Sequence, residues 1–295
     1  MEKKILNIAI AIFTISMMIS CDSTTKKPDV EKGNNSGQVT GTEVNKQKVD
    51  TAANTNSRQV VNDRNGNSSK ENVKVIKPKS ITAMPKISKA EWERLYNLGE
   101  SDKASQKEHE EASKIAEGTY DKSKYGDLSI YEDLYSTNCS WYCGGEVKKV
   151  TASSCLSPIK PYNYEGRNAH DFDHESVWAT KGKGIGESLT YTFDIKCPRI
   201  TTVKILNGHV KTEKAWRANS RVKKLRVWYK DKPYAILDLE DSRTLQCFDV
   251  GTLGRDPQAG KNKWTLKFEI LEVYPGDKYD DTVIAELYFD GIDVH

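Results

Sequence analysis

Apolar and polar residues alternate with period two through much of the second half of this chain. Leu189, Tyr191 and Phe193 alternate with Ser188, Thr190 and Thr192. Val203 and Ile205 follow the same rule, as do Leu225, Val227 and Tyr229, and then Trp264, Leu266, Phe268 and Ile270. Successive side chains of a strand point to opposite faces, so each run predicts a strand with one face in a core and the other in solvent. Turn signals separate the runs: Asn207-Gly208, Asp231-Lys-Pro233, Gly251 to Gly254, and Tyr274-Pro-Gly276. Short, regularly punctuated strands predict an all-β sandwich over 125–295, long enough for one core. No alternation of strands with helices and no phosphate-binding glycine loop argues for a nucleotide-binding α/β fold.

A helical period precedes the sandwich, over 81–124. Ser88-Lys-Ala-Glu91 has the form of a capping box, with Trp92 and Leu95 at helical spacing behind it. A second, highly charged helix is expected over about 102–117, stopped by Gly118. This segment is expected to pack weakly on the sandwich or to act as a stalk.

Composition changes the picture at the N-terminus. Lys3 and Lys4 precede an apolar run from Ile5 to Met18, short for a membrane span and suited to a signal peptide over 1–20. Met18-Ile19-Ser20-Cys21 resembles a bacterial lipobox, although Met18 stands where leucine is usual. The resemblance implies lipid on Cys21 and a protein held in the bacterial cell envelope, facing out of the cytoplasm. Residues 22–80 carry no Phe, Trp or Tyr. Such a stretch buries too little apolar surface to offset ordering, so 21–80 is expected to be a disordered tether. With 45 basic and 42 acidic residues overall and scattered charges, nothing predicts a nucleic-acid partner.

The candidate chemistry is sparse. Asp171, Asp173 and Ser176 sit ahead of a strand at spacings suited to a hard cation such as calcium, although turn capping explains them equally. Asp280 and Asp281 form an acidic pair, but neighbours on a strand diverge, and turn roles suit them better than glycoside hydrolysis. With Cys21 lipidated, five cysteines remain, and Cys139 and Cys143 are the pair best placed to bridge a tight loop. A cysteine nucleophile served by His170 or His174 lacks any accompanying signature. Trp141 and Tyr142 occupy a glycine-flanked loop, and Trp216 a polar connection. Exposed aromatics beside Arg217 and Arg221 suit stacking on a sugar, so Trp216, Arg217, Arg221, Trp141 and Tyr142 form the candidate ligand-binding set. Against it, Trp141 also fits as a plug for one end of the sandwich, and Trp216 as core.

An ordered series of motifs carries a family resemblance. It runs through Cys139-Ser-Trp-Tyr-Cys143-Gly-Gly, Ala152-Ser-Ser, Ala169-His-Asp171-Phe-Asp173 with Trp178, and Gly182-Lys-Gly-Ile-Gly-Glu187. It continues through Asn207-Gly-His, Asn219-Ser-Arg221-Val-Lys-Lys-Leu225, and Tyr274-Pro-Gly-Asp-Lys-Tyr-Asp-Asp-Thr-Val-Ile-Ala-Glu286. Over about 137–290 the series resembles the discoidin-like, galactose-binding-like domain known as the translocation or glycan-binding domain of a bacterial NAD glycohydrolase toxin. The resemblance implies a jelly-roll sandwich and a non-catalytic binding module rather than NAD hydrolysis. It further implies a structural calcium held by Asp171, Asp173, Ser176 and a late Glu286. A glycan or cell-surface ligand is the expected partner. Protein adhesion or envelope scaffolding without a sugar site is the alternative, and an unrecognised hydrolase the third reading.

Overall fold

The computed structural model describes residues 73–98, 103–136, 140–255 and 263–294. The expected signal peptide, Cys21 and most of the tether lie outside the described residues. Among the described residues, eleven strands and five α-helices follow in order. They are β1 (Lys74–Ile76), β2 (Ser80–Ala83), α1 (Lys89–Asn97), α2 (Gln106–Ala116), α3 (Lys122–Tyr125), α4 (Ser129–Tyr135), β3 (Val147–Ala152), β4 (Trp178–Ala179) and β5 (Ser188–Asp194). Then come β6 (Arg199–Asn207), α5 (Glu213–Ala218), β7 (Ser220–Tyr229), β8 (Lys232–Asp238), β9 (Thr244–Leu253), β10 (Lys263–Tyr274) and β11 (Thr282–Ile292).

The strands form two layers, as the alternation requires. One runs β2-β9-β6-β11, with β4 on β11; the other runs β8-β7-β10-β5-β3, with β1 added parallel to β8. They join at one corner, where Thr282 and Val283 of β11 lie parallel to Ser220 and Arg221 of β7. Leu189, Tyr191, Phe193, Val203, Ile205, Leu225, Val227, Leu266 and Phe268 all fall in one buried cluster between the layers. Tyr191 of one layer meets Phe289 of the other edge to face, with ring centroids 5.1 Å apart. This is the discoidin-like jelly roll that the alternation and the motif series anticipate.

The N-terminal segment departs from expectation in two ways. First, ordered structure begins inside the span read as tether: β1 pairs with β8, and β2 pairs antiparallel with β9. These residues satisfy backbone groups on an edge of each layer, which their polar sequence does not advertise. Second, the helices are neither stalk nor loose appendage. Trp92, Leu95, Ile115, Leu128, Ile130, Tyr131 and Leu134 are buried in a second core with Leu206, Leu245, Val283, Ala285 and Tyr288 of the sandwich. That cover is why β11 is buried on both faces from Thr282 to Phe289. Ser88 caps α1 by accepting the Glu91 N–H at 3.2 Å, while the Glu91 carboxylate pairs with Arg94 instead of closing a box. The full capping box is Ser105–Glu108, at the start of α2.

Candidate functional site

The loop between β3 and β4 builds one end of the sandwich. Its turns are made by its own acids: the Asp173 N–H donates to Asp171 Oδ1 at 3.0 Å, and the Glu175 N–H to Asp173 Oδ1 at 3.3 Å. Aspartate carboxylates commonly fold back on the backbone two residues ahead in this way. The Ser176 hydroxyl donates to Asp171 Oδ2 at 2.7 Å, and Lys89 of α1 reaches Asp173 at 3.1 Å. Asp171, Asp173 and Ser176 thus cap the turns of their own loop, with Lys89 paired to Asp173.

Glu286, on the central strand β11, is fully buried, and neither carboxyl oxygen has a hydrogen-bond partner among the described residues. Burial holds its pKa well above the usual carboxylate range, and the neighbouring Asp171 carboxylate adds to the effect. An unpartnered buried carboxyl facing a second carboxylate is costly unless it takes a proton or a cation. Among the described residues no three His, Cys, Asp or Glu side chains gather as a metal-holding group. A cation here would therefore need hydroxyl and carbonyl oxygens as well.

The aromatic candidates are corrected. Trp216 is only 6% exposed; its Nε1–H donates to the Asn207 carbonyl at 2.9 Å, and the Arg221 guanidinium lies 4.5 Å from its ring. Arg221 is itself buried and held at 2.9 and 3.0 Å by Asp241. Both belong to the packing under α5, because that helix folds its one indole inward. Trp141 is 1% exposed, edge-on to Phe193 and Phe289, and is the plug rather than a platform. The Tyr142 hydroxyl accepts the Phe289 N–H at 3.0 Å, so its polar end is used internally. Arg217 alone of the set stays exposed, paired with Glu213. Asp281 accepts the Gly182 N–H at 2.9 Å, a turn role. Cys139, and with it the expected Cys139–Cys143 bridge, lies outside the described residues.

A different group of side chains lines a cleft of about 630 Å³ beside the acidic loop. Tyr162, 65% exposed, stands on the tight Ile159–Tyr162 turn at its rim. Asn163 and Asn168 are linked at 2.9 Å, and Asn168 also donates to the Val177 carbonyl at 3.0 Å, which fixes this wall. His209 and Lys211 also line the cleft, the latter paired with Glu175 at 2.7 Å. His209 Nε2 is buried without a partner, and burial lowers the imidazole pKa, keeping the ring neutral. Gly208, at φ +87°, lets the chain turn there; a Cβ would meet the Arg221 and Trp216 side chains within 3 Å. The sequence signal for Tyr162 is Pro161-Tyr162-Asn163-Tyr164, an aromatic run in a proline-marked loop.

The chain is similar to several solved structures. CpGH89CBM32-5 from Clostridium perfringens, solved in complex with GalNAc-beta-1,3-galactose, is 17% identical, with a TM-score of 0.35, over 48% of this chain and 94% of that one. CBM32-3 from a family 31 glycoside hydrolase of the same organism is 18% identical, with a TM-score of 0.35, over 49% and 92%. Chitosan-binding module 1 from a chitosanase/glucanase of Paenibacillus sp. IK-5 is 11% identical, with a TM-score of 0.30, over 50% and 97%. No curated protein matches. The family model of the NAD glycohydrolase translocation F5/8 type C domain matches residues 141–290, just over half of the 295 residues. The motif series, the two-layered jelly roll and this match together place the chain in the NAD glycohydrolase translocation F5/8 type C domain family.

Proposed function

We propose that this chain is a non-catalytic, lipid-anchored envelope protein whose sandwich binds carbohydrate through the Tyr162 cleft. The observation that carries the reading is one exposed aromatic ring beside convergent polar groups. The ring of Tyr162 offers a face for a sugar, while Asn163 and Lys211 offer hydrogen bonds. The three carboxylates lining the cleft support binding over hydrolysis. Asp171 is engaged by Ser176, Asp173 by Lys89 and Glu175 by Lys211, which leaves no free acid–base pair across a bond. A glycan array probed with the full chain tests the proposal. Tyr162→Ala is expected to weaken binding by about tenfold, the loss of one stacking contact of roughly 1–2 kcal/mol, without a change in melting temperature. Undiminished binding by this variant would move the site elsewhere.

Calcium fits the acidic loop as a structural ion. Asp171, Glu286 and the Ser176 hydroxyl would hold it with backbone carbonyls, and Asp173 would support the loop. Its role is to neutralise the buried Glu286–Asp171 pair and stiffen the cleft wall. The anchor is proposed on Cys21: Cys21→Ser is expected to move the protein out of the detergent phase. A variant that is processed normally and stays membrane-bound would remove the lipid from the account.

A further inference from the structure

A second hollow of about 420 Å³ opens beside the cleft, between the N-terminal segment and the sandwich. Lys86, Lys89, Lys211 and Arg243 line it, against Glu175 as its one carboxylate. Two of these charges are neutralised, Lys89 by Asp173 at 3.1 Å and Lys211 by Glu175 at 2.7 Å. Among the described residues the other two meet only carbonyls. Lys86 Nζ donates to the Ser123 carbonyl at 2.8 Å. Arg243 Nε and Nη2 donate to the Val210 carbonyl at 2.8 and 2.5 Å, and its Nη1 makes no hydrogen bond to a described residue.

Arg243 is the informative member. It is half-buried, and that burial disfavours its charged form enough to lower its pKa. No carboxylate lies within ion-pair distance among the described residues, and Glu213, whose charge acts on it, is committed to Arg217 at 2.7 Å. Protein interiors seldom leave a guanidinium uncompensated, and a planar fork with a free nitrogen suits an oxyanion. Lys211 and Glu175 line both the hollow and the Tyr162 cleft, so one extended ligand can lie across the two.

We infer that this hollow is an anionic subsite, and that the ligand is an acidic glycan whose carboxylate or sulfate sits against Arg243 and Lys86. The inference rests on the carbohydrate reading of the Tyr162 cleft and narrows it to one chemical class. Lys86 and Lys89 lie outside the family match at 141–290 while Lys211 and Arg243 lie within it, so the N-terminal segment completes the subsite.

The test measures binding of the full chain to lactose, 3′-sialyllactose, 3′-sulfated lactose and polygalacturonate, at low and high salt. Anionic ligands are expected to bind at least about tenfold more tightly than lactose, with the advantage falling as salt rises. Arg243→Gln and the exposed-site variant Lys86→Glu are each expected to erase most of that advantage and to leave residual lactose binding unchanged. The sialylated and sulfated arms separate a carboxylate from a sulfate preference. Neutral binding through Tyr162 with no anionic advantage would overturn the subsite and leave the cleft standing. No binding to any glycan would overturn both. Preference for anionic phospholipid vesicles over every glycan would overturn the acidic-glycan assignment. Parent-like anion binding by a folded Lys86→Glu or Arg243→Gln variant would do the same for the residues named.

Discussion

Trp216→Ala separates a structural indole from a binding one. The residue is 6% exposed, its Nε1–H satisfies the Asn207 carbonyl, and Arg221 lies over its ring. Truncating a buried tryptophan costs about 3–5 kcal/mol through lost transfer energy and the cavity left behind. Loss of the Arg221 contact adds up to about 2 kcal/mol when such a pair is desolvated, and the orphaned Asn207 carbonyl adds about 1 kcal/mol or more. These effects share partners and do not sum, so the expected loss is about 3–5 kcal/mol. For a domain of this size each kcal/mol moves the melting temperature by about 2–4 °C, so a loss of 4 kcal/mol lowers it by roughly 8–16 °C. Urea unfolding followed by tryptophan fluorescence gives the free energy, and Gly208→Ala probes the same packing from the other side. A stability loss below about 1 kcal/mol accompanied by lost glycan binding would refute the assignment and return Trp216 to the ligand.

Three further outcomes are expected. Calcium should raise the melting temperature of the parent by mass action, about 2.7 kcal/mol at a hundredfold excess over Kd, and Glu286→Gln should abolish the gain; identical curves with calcium and with chelator would remove the metal. In a Glu286→Gln background, which removes the opposing contribution of that raised carboxyl, stability should fall as pH drops from 7 to 5. Buried His170 and His174 take a proton only near pH 4, whereas the unfolded chain takes one near 6.5, so protons favour the unfolded state by about 2 kcal/mol per residue at pH 5. An unchanged urea midpoint at pH 5 and 7 would contradict their buried, neutral state. Deleting residues 73–83 should leave a folded core but uncover edges of β8 and β9, giving self-association in sedimentation; a monomeric truncation would show that β1 and β2 protect nothing.

The two-layered sandwich and most of its core were legible in the sequence because strand burial is a local, period-two property. Leu189, Tyr191 and Phe193 face inward whatever lies across from them. The acidic loop was legible for a similar reason, since Asp171 and Asp173 fold back on the chain only two residues ahead. Glu286 was nominated by motif resemblance, but only the fold brings β11 against that loop. Exposure of loop aromatics was not legible. Trp216 sits among polar neighbours in sequence, yet the turn at Gly208 and the guanidinium of Arg221 fold over it. Tyr162 has a comparable sequence context and stays 65% exposed. The helical segment looked too charged to be held firmly; its few apolar positions suffice because β11 presents a second apolar face, made of Val283, Ala285 and Tyr288, that no single-strand pattern reveals. The basic hollow is wholly tertiary. Lys86, Lys211 and Arg243 come from three separate segments, and their charges meet only after the N-terminal segment has docked on the sandwich.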